Sequence, residues 1–334
     1  MKVLVTGGAG FIGSNYVRSL LGGAYVGYED VHVTVVDKLT YAGNTANLPM
    51  DHPRLSFVKA DICDAATLYD VVRGHDAVVH LAAESHVDRS LLSAGEFVIS
   101  NVLGTQAVLE CSLRAGVERV VHVSTDEVYG SIGEGSWTEK QRLQPNSPYA
   151  AAKAGADLLA WSYYQSHRLP VCVTRCSNNY GPHQFIEKII PLFVTNLLDG
   201  RPVPLYGDGL HVREWLHVDD HCRGLQLVLE RGRPGEIYHL GGGTELTNLD
   251  LVRQLLTLCG ADWDRVQFVD DRKGHDRRYS LDGEKARHEL GYEARVPFDR
   301  GLADVVDWYR DNRWWWAPLR ETAEFFKYGL PRGW

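Results

Sequence analysis

The sequence lacks any apolar run long enough to cross a membrane, and no early run has the flanks of a signal peptide. No membrane span is expected, and the cytoplasm is the expected compartment. Positive charge is also in deficit. Lys and Arg number 35 against 43 Asp and Glu, a formal net charge of −8. That balance argues against a general nucleic-acid binder, so an anionic ligand would need cations gathered locally. Cysteine is sparse. Cys63, Cys111, Cys172, Cys176, Cys222 and Cys259 are scattered, and Cys172 and Cys176 have no second Cys or His pair to complete a zinc site. Free buried thiols in a reducing compartment are expected. No internal repeat, low-complexity tract or long linker interrupts the 334 residues, so any lobes should be packed rather than tethered. Apolar residues make up 44% and charged residues 23%, the composition of a globular protein with a real core.

In the first half, short apolar runs alternate with helix-like stretches. Strands are expected at Val3–Thr6, Val31–Val36, Leu55–Asp61, Ala77–Ala82 and Val120–Ser124, with Val171–Arg175 closing the series. Helices are expected at Phe11–Leu21, Glu96–Ala115 and Tyr149–His167. Such alternation means an α/β fold, a doubly wound parallel sheet covered on both faces. It weakens after about Asn178. Strands at Val203–Leu205, Glu214–Val218 and Ile237–Leu240, with helices at Asp219–Glu230, Asn248–Cys259 and Arg300–Arg310, suit a smaller α+β lobe at one edge of the sheet. The expected division is a Rossmann-type domain over 1–178 and a second lobe over 179–334, with some chain crossing back. The tail carries a Trp run, Trp314 to Trp316, and ends at Trp334; packing against the body or a subunit neighbour is expected there.

Gly7, Gly10 and Gly13 follow the first strand directly and open the first helix, with Phe11 and Ile12 between the last two. Side chains at those glycines would keep the backbone away from a pyrophosphate, and the helix N-terminus offers N–H groups and partial positive charge. Asp37 ends the second strand 24 residues past Gly13. An acid there can accept both ribose hydroxyls and repel a 2′-phosphate, which favours NAD over NADP, although Lys38 stands beside it. Asp61 and Ile62 end the third strand; Asp61 either holds an adenine edge or caps a helix.

Tyr149 and Lys153 stand four apart at the start of a helix, on one face, about 6 Å apart along the axis. A neighbouring ammonium and an oxidised nicotinamide both favour phenolate, making a usable base near neutral pH. Asp126 and Glu127 follow Thr125 at the end of the preceding strand. Adjacent carboxylates beside a Tyr–Lys pair suggest a second proton-transfer task. Dehydration is one: one group takes a proton from carbon, the other gives one to a departing hydroxyl. Their environments must then push the two pKa values apart.

Together, TGGAGFIGS (6–14), DKLTYAGN (37–44), ADICD (60–64), HLAAESHVDRS (80–90), STDEVYG (124–130), SPYAAAKA (147–154), RCSNNYGP (175–182), EKIIPL (187–192), REWLHVDDH (213–221) and GHDRRY (274–279) resemble the extended short-chain dehydrogenase/reductase superfamily. Within it, the sequence is similar to the dTDP-glucose 4,6-dehydratases. The resemblance implies that Tyr149 takes the C4 hydroxyl proton while C4 gives a hydride to NAD, with Thr125 positioning the C4 oxygen. Glu127 then removes the C5 proton, Asp126 protonates the departing C6 hydroxyl, and the hydride returns to C6. The product is a 4-keto-6-deoxy sugar, and NAD stays bound throughout. The same resemblance implies cofactor contacts from Leu39, Thr40, Leu81, Ala82, Ala83, Ser100 and Asn179 as well.

For the sugar nucleotide, dTDP-glucose, the resemblance implies Ser85 and Asn178 at the sugar or phosphates. Lys188, Arg213 and Asn248 would hold the diphosphate and nucleoside end. Pro204, Leu205 and Tyr206 would wall the base, and Asp271, Arg272, Lys273, Gly274 and His275 would complete the site. Arg277 and Arg278 are further candidate cations. Lys273 stands where the family often has proline, which either loosens that loop or adds a phosphate contact. His80, His86 and His275 are not expected to bind metal. A homodimer is implied, with Glu96–Ala115 and Tyr149–His167 pairing into a four-helix bundle. Alternatives are a UDP-glucose 4,6-dehydratase, a nucleotide-sugar 4-epimerase or decarboxylase, and an NAD-binding sensor or scaffold. Epimerases have no need of the acid pair, because no hydroxyl leaves.

Overall fold

A computed structural model describes the backbone of residues 1–328 and the side chains of 1–320; Trp334 lies outside the described residues. The first layer contains β1 (Lys2–Thr6), α1 (Phe11–Leu21), β2 (His32–Asp37), β3 (Leu55–Lys59), α2 (Ala65–Val72) and β4 (Ala77–His80). It continues through α3 (Val87–Leu92), α4 (Ala94–Phe97), α5 (Gly104–Ala115), β5 (Arg119–Thr125), α6 (Pro148–His167) and β6 (Val171–Cys176). Then follow β7 (Asn178–Tyr180), α7 (Ile189–Leu198), β8 (Val203–Tyr206), β9 (Val212–His217), α8 (Val218–Arg231) and β10 (Ile237–Leu240). The remainder is β11 (Thr244–Thr247), α9 (Asn248–Cys259), β12 (Val266–Val269), α10 (Glu284–Leu290), α11 (Phe298–Asp311) and α12 (Arg313–Tyr328).

The main sheet has seven parallel strands in the order β3-β2-β1-β4-β5-β6-β10. Its central strands are valine-rich and buried on both faces, as a covered parallel sheet requires. The order reverses direction between β1 and β4, and a crevice opens beyond the carboxyl ends of the strands at that switch point. The glycine turn follows β1 there, and Thr125 ends β5 on the same side. The helix carrying Tyr149 starts sharply: Ser147 Oγ accepts from Ala150 N at 3.1 Å, and Pro148 at the first position has no amide to leave unpaired.

The structure corrects several expected boundaries. β6 does not close the series. β10 pairs in parallel with it, so Ile237–Leu240 belongs to the main sheet and not to the second lobe. The helix expected at Asp219–Glu230, α8, also packs on the first layer, and Cys222, Leu225, Val228 and Leu229 share a core with Val3, Val5 and Tyr16. The expected single helix Glu96–Ala115 is α4 and α5 joined by a π-helical turn, Val98–Leu103. Within that turn, Asn101 accepts from Glu84 N at 2.8 Å and donates to Glu84 O at 2.9 Å. β7, β11 and β12, and helices α2, α7 and α10, went unread because they are short or blur both periodicities.

The second lobe has its own core. Phe193, Leu251, Leu255, Leu302, Val305 and Tyr309 are buried there with Trp315 and Trp316. The Trp run therefore packs against the body, with Trp314 left exposed. All six cysteines are free. Among the described residues no helix is long and apolar enough to cross a membrane.

Candidate active site

One cleft runs from the glycine turn to the carboxylate pair. At its first end, Gly7, Gly10, Phe11, Ile12 and Gly13 face Leu81, Ala82 and Ala83. Gly7 has a φ of +69°, and a Cβ on it would lie 2.6 Å from the Ala82 nitrogen. A Cβ on Gly13 would sit 2.3 Å from Gly7 O. Gly10 caps α1 with no side chain, so the helix N-terminus is left without a side-chain cap.

Asp37 anchors the same turn. Its Oδ2 accepts from Ala9 N at 3.0 Å and its Oδ1 from Leu39 N at 2.8 Å. Leu39 makes that bond from a left-handed φ of +57°, a strained setting for a bulky residue. Its side chain packs on the core, and its placement is structural. Burial raises the Asp37 carboxyl above its ordinary value, yet each oxygen retains a free lone pair for a ribose hydroxyl. Lys38 Nζ lies 3.3 Å from Ser100 Oγ and 3.6 Å from Asp61 Oδ2, so its charge already has a partner. Asp61 accepts from Cys63 N at 2.9 Å and does not cap α2; Asp64 does, accepting from Thr67 N. The other expected residues here, Thr40, Ile62 and Ser100, line the cleft. Close backbone approach at the turn, an open helix N-terminus and a buried acid at the end of β2 fit a dinucleotide.

At the other end, Thr125, Asp126, Glu127, Tyr149 and Lys153 meet. Thr125 Oγ1 donates to Asp126 Oδ1 at 3.1 Å and accepts from Glu127 N at 3.3 Å. That single hydroxyl holds the Asp126 carboxylate and caps the turn that carries Glu127. Lys153 Nζ donates to Val123 O at 2.6 Å. Burial lowers the Lys153 ammonium's pKa, opposed by Asp157 one helical turn on. The Tyr149 phenol is buried as well. Burial, then the Glu127 carboxylate, raise it well above its ordinary value. A positive charge beside it, as an oxidised nicotinamide carries, would favour the phenolate.

The two carboxylates have different surroundings. Asp126 is buried, its Oδ2 has no hydrogen-bond partner among the described residues, and desolvation, then Glu127 and Glu214, raise it well above the usual carboxylate range. Burial also raises Glu127, but Lys188, Arg272 and Arg213 pull it back down. Both carboxyls are raised, but Asp126 has no offsetting cation as close as those around Glu127 and is raised the further, an inequality that suits Asp126 to the acid's part and Glu127 to the base's.

Further along, Lys188 Nζ donates to Ser85 O at 2.7 Å. Asn178 Oδ1 faces the cleft, buried and without a partner. Asn179 Oδ1 meets His221 Nδ1 at 2.9 Å. Sequence reasoning missed Glu187, which accepts from Arg89 Nε at 3.0 Å, and the cleft residues Ser124, Cys176, Gln184 and Phe185. It also missed Glu214, whose charge acts on Asp126. Glu187 and Glu214 stand inside the matched stretches EKIIPL and REWLHVDDH, so a charge within a matched motif was the available signal.

The remaining expected residues form an outer arm. Tyr206 Oη reaches Asp88 Oδ2 at 3.4 Å, and Arg272 Nη1 reaches Asp88 Oδ1 at 3.4 Å. Arg213 donates to Asp276 O at 2.9 Å and lies over the Tyr279 ring. Gly274 needs its φ of +64°, and a Cβ on it would lie 2.8 Å from Asn146 O. Asn248 begins α9, directly after Thr247, which caps it. Lys273 is exposed. Leu205 is a correction: β8 alternates, so Leu205 faces the second core with Val203, leaving Pro204 and Tyr206 to face outward. Arg277 and Arg278 are corrections too, since bidentate bonds tie them to Asp208 and Glu245.

Of the histidines, His80 is buried between Thr6 and Thr105. His275 gathers with His211 and Asp271, their ligand atoms all within 4.8 Å of one another. Spacing alone could not reveal that cluster. Asp271 bonds His275 Nδ1 at 2.7 Å, and the Arg272 guanidinium lies 3.0 Å from His275 Nε2. Positive charge beside it marks the cluster as a loop anchor.

Residues 4–305 match the family model described as GDP-mannose 4,6 dehydratase. A dTDP-glucose 4,6-dehydratase of Streptomyces antibioticus is 63% identical over 322 residues, 96% of either chain. One from Streptomyces niveus is 59% identical over 97% of each. The crystal structure of DesIV, a dTDP-glucose 4,6-dehydratase of Streptomyces venezuelae with NAD bound, superposes with a TM-score of 0.94 at 63% identity, covering 96% of this chain and 100% of that one. A UDP-glucose 4-epimerase of Thermotoga maritima shares the fold at a TM-score of 0.86 and 32% identity, covering 94% of this chain and 100% of that one.

Proposed function

The chain belongs to the dTDP-glucose 4,6-dehydratases, and from that premise we propose how its own residues carry the reaction. It is a hydro-lyase that converts dTDP-glucose to dTDP-4-keto-6-deoxy-glucose and water with NAD as cofactor. NAD, when bound, takes up the C4 hydrogen with its electron pair and gives it back at C6. The glycine turn and Asp37 hold its pyrophosphate and ribose. Tyr149 receives the C4 hydroxyl proton, with Thr125 orienting that oxygen. Once C4 is a ketone, the C5 proton is acidic enough for Glu127 to take. Asp126, kept protonated by its burial, gives its proton to the C6 hydroxyl as water leaves, and Glu127 returns a proton to C5 as the hydrogen is delivered at C6. Lys188 and Arg213 lie near enough to Glu127 to lower its pKa, and the diphosphate binds on that side.

One observation carries the dehydratase reading over the epimerase one: two adjacent carboxylates stand beside Tyr149 in unequal surroundings, Asp126 buried with an unpartnered oxygen among the described residues and Glu127 near the cations Lys188, Arg272 and Arg213. Incubation with dTDP-glucose should yield a product with the alkaline absorbance of a 4-keto sugar, and UDP-glucose should turn over at least tenfold more slowly, roughly the worth of one lost contact. Recovery of dTDP-galactose alone would sink the assignment.

The assembly we infer is a homodimer working in the cytoplasm. Val98, Ile99 and Leu103 on the π-helical turn, and Leu158 and Trp161 on α6, are large apolar side chains left exposed. A second copy packing these helices into a four-helix bundle would cover them. Sedimentation should show twice the 37.4 kDa chain mass; a species of single mass at micromolar concentration overturns the dimer. The six free thiols suit a reducing compartment.

A further inference from the structure

We propose that the aromatic C-terminal segment clamps the cofactor turn from outside the cleft, with Trp315 as its positioning residue. This rests on the reading that the enzyme retains NAD through its cycle. The glycine turn is held at the Ala9 peptide. Ala9 N donates to Asp37, and Ala9 O accepts from Asn44 N and from Asn47 Nδ2, both at 3.0 Å. Asn47 is buried, and its amide is held from both sides, by Ala9 O and by Trp315. Trp315 Nε1 donates to Asn47 Oδ1 at 2.7 Å. An indole N–H can only donate, so it fixes the amide oxygen toward itself and the amide nitrogen toward Ala9. Without it, Asn47 Oδ1 is a buried acceptor with no donor, and the amide that holds Ala9 O is fixed from one side only.

The same aromatic group touches the opposite wall. His183, at a φ of +64°, sits 4.5 Å from the Trp308 ring and 5.4 Å from the Trp315 ring. Tyr309 Oη donates to Gln184 O, and Gln184 Nε2 donates to Asn179 O at 2.9 Å. Gln184, Phe185 and Asn179 all line the cleft. The clamp therefore joins the glycine turn to the 181–185 loop, and its closure sets how slowly NAD leaves.

Trp315→Phe keeps most of the ring bulk and removes the N–H. The holoenzyme variant should release NAD about tenfold faster, the effect of orphaning one buried acceptor, with kcat at saturating NAD unchanged. Release is read as NAD remaining after timed dilution and gel filtration. Trp316→Phe is the control: it loses a bond to Tyr309 O without touching Asn47, so it lowers thermal stability but not NAD retention. Equal release from wild type and Trp315→Phe overturns the clamp, as does equal acceleration in both Trp variants. If Trp315→Phe does not fold, Asn47→Ala should show the same faster release, and unaltered release there also overturns it. Wild-type enzyme that binds no NAD at all refutes the cofactor reading instead.

Discussion

Tyr149→Phe should lower turnover of dTDP-glucose by about 10²–10⁴-fold, the range for loss of a positioned proton-transfer group, while NAD stays bound. Only the phenol oxygen is lost. The ring keeps its edge contact with Phe97, 6.3 Å between centroids, and the glycine turn and Asp37 are untouched. Burial and Glu127 raise this phenol's pKa well above its ordinary value. Proton removal from C4–OH then depends on the field inside the loaded cleft, where Lys153 is pinned to Val123 O. Because the step lost is the first one, the variant should form no keto sugar and show no exchange of the C5 hydrogen with solvent deuterium. Rapid-quench assays with NAD quantified after denaturation would check this; near-wild-type turnover would remove Tyr149 from the mechanism.

Asp126→Asn should lower turnover by about 10²–10³-fold through failed water loss, yet leave C5 exchange intact. The amide cannot protonate the leaving hydroxyl, but Glu127 still stands ready to take the C5 proton. Glu127→Gln should lose the exchange itself. Indistinguishable exchange in the two variants would mean that the carboxylates only shape the site. The same substitution should stabilise the fold. Asp126 is raised well above its unfolded value, so its favourable contribution is fully present below an ordinary Asp pKa of about 4 and is lost as pH rises through the folded pKa. Asn does not ionise. Relative to wild type, Asp126→Asn should therefore gain about 1–3 kcal/mol as pH rises from about 4 to 8, read as a widening difference in Tm. A constant difference across that range would deny Asp126 its raised pKa. The acid's reactivity and its cost to stability have one source, a buried oxygen with no partner.

Much of this site was legible in the chain because its parts are local. The turn from Gly7 to Gly13 is one contiguous segment, and its glycines answer to contacts with Ala82 and with each other. Tyr149 and Lys153 are one helical turn apart, and Asp126 and Glu127 are neighbours. What escaped depends on distant residues meeting. Nothing near Arg277 announces Asp208, 69 residues away, so an apparent phosphate ligand is tied to a carboxylate. Leu205 was assigned to the ligand with its neighbours because the strand's facing depends on which side the second core lies. The raised phenol of Tyr149 was not legible for a related reason: spacing shows the ammonium nearby but not the depth at which both groups sit. β10 was placed in the wrong layer because a four-residue apolar run carries no mark of its partner.

The return of β10 to the main sheet has a consequence for the order in which the protein can be made. Residues 1–176 emerge first, and by then six of the seven strands are available. Until Ile237–Leu240 leaves the ribosome, β6 is an open edge, and the face that α8 later covers is bare. An exposed parallel edge invites pairing with any passing chain. The nascent protein must therefore wait, with its cofactor half nearly built, for about 60 further residues to seal it. The first elements of the second lobe, α7, β8 and β9, are therefore synthesised before the main sheet is closed, and the rest of that lobe only afterwards.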